Sequence, residues 1–160
     1  MTNKALIDFR ECLREGMIEN FEKDGCLVPI FFFYKDGIPV IGEIPGELLD
    51  SPEGKNMLAG VIRNVCQQPN VLAAGLIIEA SGAKMDDDSD LAKLVKNGDV
   101  RISELKESQD IIIMVFSTPE TEEFIAYCVD TDKKTVGEKF AEQTDKFNGI
   151  FSNFFTWNKN

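Results

Sequence analysis

The chain has 160 residues, with 43% hydrophobic and 28% charged, the composition of one globular domain and not of a disordered segment. Acidic side chains outnumber basic ones 28 to 17, a net charge of -11, which argues against a nucleic-acid backbone or an anionic membrane as the main partner. Histidine is absent, which removes Ser-His and Cys-His nucleophile pairs, the usual zinc sites and the commonest neutral-pH acid/base.

Residues 3–24 predict an amphipathic helix: Leu6, Phe9, Leu13, Met17 and Phe21 recur at three- and four-residue steps, with Asp8, Glu11, Glu15, Glu19 and Glu22 mostly off that face. Thr2 is placed to cap its start, and Asp24-Gly25 supplies a left-handed stop. Residues 27–34 are apolar on both strand faces. Lys35-Asp36-Gly37 signals a turn, and residues 38–44 return as the second arm of a hairpin, where Pro39 and Pro45 suit an edge strand. The second helix is well marked by Ser51 as N-cap, Pro52 at the first position and Glu53 in the first turn. Met57, Leu58, Val61, Ile62 and Val65 are its expected buried stripe, and Pro69 ends it.

Residues 71–80 are almost continuously apolar, as a buried central strand would be. The polar stretch 84–109 is expected to hold a short helix capped by Ser89. Two strands follow over residues 111–130, turning near Pro119, and residues 135–142 offer a further arm. The end, from Lys146 on, is dense in aromatics, with no repeat or linker anywhere in the chain.

The expectation is one α+β domain over 1–160: an antiparallel sheet of five to six strands and two main helices, in the order α-β-β-α-β-β-β plus an aromatic C-terminal segment. Both helices are expected on one face of the sheet. This element order is similar to that of roadblock and profilin-like domains, and more loosely to the JAB-type isopeptidase fold. The JAB-type activity requires paired metal-binding histidines, which this chain lacks.

The compartment follows by subtraction. Residues 1–17 carry charges every few positions, so no signal-peptide core is expected there, and no apolar run is long enough to span a bilayer. Cys12, Cys26, Cys66 and Cys128 are scattered without Cys-x-x-Cys spacing, which predicts reduced thiols in a cytoplasmic protein.

Four features are candidates for chemistry or binding. Asp86, Asp88 and Asp90 share the spacing of the first calcium-loop ligands, but Leu91 stands where that loop needs Gly and Asn97 where it needs Glu. Glu79 lies inside an apolar strand, where desolvation would raise its pKa as acid/base catalysis requires, and Glu43 is a second carboxylate candidate. Gly54-Lys55 lacks the rest of a phosphate loop. Phe151, Phe154, Phe155 and Trp157 either close the core or form a docking surface, because large aromatics anchor interfaces.

The functional expectation is a cytoplasmic, non-catalytic interaction or regulatory domain that self-associates, as a homodimer. No cofactor, direct nucleic-acid contact or membrane contact is expected. Two alternatives stand beside it: a small histidine-free hydrolase or isomerase using a buried carboxylate, and an acidic decoy for a nucleic-acid-binding protein.

Overall fold

The computed structural model describes residues 4–83, 108–143 and 151–155, together with Ser89, Lys93, Leu94 and Leu105. Among the described residues, two main helices and a six-stranded antiparallel sheet make an α+β fold in the expected order. The elements are α1 (Lys4–Asp24), β1 (Ile30–Lys35), β2 (Ile38–Glu43), a 3-10 turn (Gly46–Leu49), α2 (Pro52–Cys66), β3 (Val71–Gly82), β4 (Gln109–Ser117), β5 (Glu122–Asp130) and β6 (Thr135–Gln143). The strand order is β2-β1-β3-β4-β5-β6, with β2 and β6 at the edges. The proposed helix within 84–109 lies largely outside the described residues, as does Thr2.

Local chemistry accounts for the element ends. Gly25 takes a φ of 74° and its N–H returns to the Phe21 carbonyl at 2.7 Å, closing α1. Ser51 Oγ accepts the Gly54 N–H at 3.0 Å, and Pro52 occupies the first turn of α2, where its missing N–H costs nothing. Asp36 and Gly37 both have positive φ, 53° and 75°, which is the two-residue turn whose twist matches a hairpin.

The helices lie on opposite faces of the sheet, not on one as expected. Phe9, Leu13, Met17 and Phe21 of α1 pack with Phe32, Tyr34, Ala73, Ile77, Ile112, Met114 and Phe116. Leu58, Ala59, Ile62 and Cys66 of α2 pack with Phe33, Ala74, Leu76, Ile78 and Val115, the side chains that alternate to the other face. The reason is the two-sided apolar character of β1, β3 and β4. Two helices on one face would leave Phe33, Leu76 and Val115 in water.

The center of the α1 face is a row across three strands. Phe32, Gly75 and Phe116 are in register, and the two rings stack over the glycine with centroids 5.6 Å apart. Phe9 of α1 meets both rings edge-on, at 5.7 and 6.2 Å. Arg10 bonds Glu123 at 3.1 Å and Arg14 donates to the Tyr127 hydroxyl at 3.3 Å, orienting α1 over β5. The two arginines are about one-third exposed, at 35% and 31%, so these contacts set position more than stability.

On the other face, residues 151–155 lie beside α2. Arg63 donates to the Ser152 carbonyl at 2.9 Å and stands 6.0 Å from the Phe154 ring, while the Asn153 N–H binds Glu122 of β5. This contact fixes the rotation of α2: Ala59 and Cys66 turn inward, and Met57 and Val61 do not. Met57 and Val61, expected in the buried stripe, are 63% and 56% exposed. No helix among the described residues is long and apolar enough to cross a membrane.

A Cβ on Gly75 would come within 1.8 Å of the Val115 carbonyl and 2.6 Å of the Phe32 ring. Gly75→Ala is therefore expected to destabilize the fold by roughly 3 kcal/mol, since backbone must move. Chemical denaturation would check this, and a loss below about 1 kcal/mol would show that the row tolerates spreading.

Candidate functional site

Glu79 stands on the α1 face of β3, past the end of α1. It lines an open hollow of about 180 Å³ with Cys26, Ala80, Asp110, Ile111, Val129 and Thr131. Its carboxyl is held above the ordinary range mainly by desolvation; the Leu27 N–H, donating at 3.3 Å, works the other way, and the negative Asp110 adds to the rise. The Thr131 hydroxyl donates to Asp110 at 3.3 Å. Asp110 thus repels Glu79 across the hollow. The hollow is smaller than the ~300 Å³ at which small-molecule pockets begin.

The other candidates are dispersed. Glu43 is exposed on β2, on the same face of the sheet as Glu79 but two strands away, and it does not line the hollow. Asp86, Asp88 and Asp90 lie outside the described residues, as does Trp157. No group of three or more acidic or thiol side chains among the described residues is arranged to hold a metal. Phe154 and Phe155 are 0% and 2% exposed. They are interior residues of the α2 face, with Phe151 half-buried beside them, and present no docking surface. None of the four cysteines is in a disulfide. Burial pushes the Cys66 thiol up to about 12, which makes it inert at neutral pH.

Exposed apolar side chains stand on β2 and on α2. The hairpin register sets Val40 against Phe33 and Gly42 against Phe31, so Ile38, Val40 and Gly42 share the α2 face; Pro39, Ile41 and Glu43 share the α1 face. On α2, Val61 lies about 160° around the helix from Arg63 at ~100° per residue. Arg63 faces the C-terminal segment over β4 and β5, so Val61, with Met57 one turn before it, lies on the flank toward β1 and β2. Ile38, Val40, Ile41, Met57 and Val61 are each between 43% and 63% exposed.

The edge is also open in its backbone. A two-residue turn makes Lys35 and Ile38 a bonded pair, and the ladder runs on through the Ile44 N–H donating to the Pro29 carbonyl at 2.8 Å. Ile38, Val40, Gly42 and Ile44 thus bond β1, whereas Pro39, Ile41 and Glu43 aim their backbone outward. Nothing among the described residues pairs with that side. Asn70 holds the hairpin in place, accepting the Asp36 N–H at 3.1 Å and donating to its carboxylate at 2.7 Å. The opposite edge differs: β6 displays Glu138, Lys139 and Glu142, with Lys139 and Glu142 paired at 2.6 Å, as charged edges that resist pairing do.

The sequence pointed to Met57 and Val61 as core; their apolar character at helical spacing was the signal, and it was misassigned to the fold. Comparison of the chain with protein-family models, with curated proteins and with solved structures gives no match.

The Glu79 carboxyl makes a pH prediction. Its folded-state pKa lies above its unfolded one, so within that interval the native state binds more protons, and stability falls as pH rises through it. Glu79→Gln should therefore match the parent's Tm at the acidic end and exceed it at neutral pH. A difference in Tm that stays constant across pH would contradict the assignment.

Proposed function

We propose that this chain is a cytoplasmic, non-catalytic protein-interaction domain that binds through the open β2 edge and the neighboring flank of α2, and that it self-associates. One observation carries the reading: Met57 and Val61 keep core chemistry at core spacing, yet stand in water beside an apolar strand with unpaired backbone. Exposed apolar side chains rimmed by polar residues mark interaction sites. Four cysteines without a disulfide fit a reducing compartment.

A second reading has the Glu79 hollow behind it, as the acid/base center of a small hydrolase or isomerase. It has a desolvated carboxyl and a neighboring Asp110, but its small volume accommodates little of a substrate. The acidic-decoy reading requires acids confined to an ordered stripe. Asp8, Glu15, Glu19 and Glu22 do form a row on the outer side of α1, but Glu43, Glu47, Glu53, Asp130, Asp132 and Glu138 spread the charge over other faces. That distribution does not imitate a nucleic-acid backbone.

A photo-crosslinking residue placed at Val61 should yield a discrete protein adduct in cells, and the same residue at Glu19 should not. Met57→Lys with Val61→Lys should remove that adduct while changing stability by only about 0.5 kcal/mol, because both sites are exposed. No adduct from Val61, or equal labeling from Glu19, would count against the interaction reading.

A further inference from the structure

We infer that the occupant of the β2 edge is a second copy of this chain, joined as a two-fold antiparallel β2–β2 pair centered on Ile41. The inference rests on the interaction reading and specifies its partner and register.

The hydrogen-bonding groups at the edge suit self-pairing in few registers. Pro39 has no N–H to offer, so the outward groups are the carbonyls of Pro39, Ile41 and Glu43 and the N–H groups of Ile41 and Glu43. Centering on Ile41 lets the two Ile41 residues exchange both bonds, while each Glu43 N–H donates to the partner's Pro39 carbonyl. Pro39 thus stands where a partner needs an acceptor from it, and its missing donor leaves one carbonyl unmet on each side. A register centered on Gly42 makes as many bonds, but it sets Glu43 diagonal to the partner's Glu43 at roughly 7–8 Å. Centering on Ile41 separates those carboxylates by four strand positions, about 13 Å. That exceeds the ~8 Å screening length at physiological salt, so the acidic chain pays little local repulsion for this contact.

The side chains agree with that register. Val40 falls opposite the partner's Gly42, where the Phe31 ring already lies so close that a Cβ on Gly42 would meet it at 2.4 Å. Each valine therefore packs against an aromatic ring across the junction, and Ile41 meets its own copy on the other face. A two-fold axis normal to the sheet keeps α2 of both copies on one side. The seam covers Val40 and Ile41 of each copy, which stand 43% and 55% exposed in the single chain. Paired this way the two sheets become one, and the charged β6 edges remain outermost.

Sedimentation velocity across a concentration series, with the parent chain and Ile41→Arg, tests the occupant. The parent should reach a dimer by high-micromolar protein, and Ile41→Arg should weaken association roughly tenfold or more. Cysteine crosslinking tests the register, in a Cys12→Ser, Cys26→Ser background that removes the exposed thiols. Ile41→Cys should give a disulfide-linked dimer under mild oxidation, because facing bonded residues have Cα atoms about 5.5 Å apart, inside the disulfide range. Ile38→Cys should not, since six strand positions, about 20 Å, separate the two copies of that residue. Crosslinking as ready at Ile38 as at Ile41 overturns the register. A parent chain that stays monomeric at high-micromolar protein overturns the second copy as occupant. In that event an adduct of foreign mass at Val61 keeps the interaction surface with another partner, and the absence of any adduct there overturns the surface as well.

Discussion

Both faces of the central strands are apolar, and covering them is the constraint from which the other features follow. Six strands at ~4.8 Å make a sheet about 24 Å across, and a helix with its side chains covers about 10 Å of it. One helix cannot close a face. On the α1 side, α1 covers the Phe32–Gly75–Phe116 row and its arginines extend the cover to β5. On the other side, α2 and the segment 151–155 stand next to each other over β1 to β5. The cover ends before β2, whose side chains are exposed on both faces. The open apolar edge is thus what remains when two helices and a short aromatic segment are spread over six strands.

The elements were legible because each is written locally. Four-residue spacing along Phe9, Leu13, Met17 and Phe21, the pair Ser51-Pro52, and Asp36-Gly37 between two apolar runs each depend on neighbors in the chain alone. The face that each helix takes was not legible, since an apolar stripe tells that a helix is covered but not by which side of a sheet. The stripe of α2 shows the same limit at finer scale. Apolar residues at positions 57, 58, 61, 62 and 65 span about 140° of the helix, and the part that turns inward goes with Arg63 reaching Ser152, a contact 89 positions away in the chain. Phe154 and Phe155 illustrate the converse: their composition fits an interface and a core equally, and the cover that the α2 face needs makes them core.

The same reasoning weighs binding against catalysis. The carboxylate at Glu79 is where the sequence placed it, inside an apolar strand, but that strand runs past the end of α1 and the residue meets solvent in a shallow hollow. A buried acid would need cover that the fold does not extend that far. The exposed apolar side chains at β2 and α2 occupy the other extreme: side chains with every reason to be buried, at a place that no described residue covers. Pro39 and the tight Asp36-Gly37 turn restrict this edge to few pairings, so it is open without being permissive.

Backbone amide hydrogen exchange at β2, measured at low and at high protein concentration, tests the central claim most directly. The Val40 N–H, bonded within the hairpin, is an internal reference protected at both concentrations. The N–H groups of Ile41 and Glu43, aimed outward, should exchange freely when the protein is dilute and become protected as concentration rises. Free exchange of both at every concentration, with Val40 protected throughout, would contradict the pairing of this edge with a second copy.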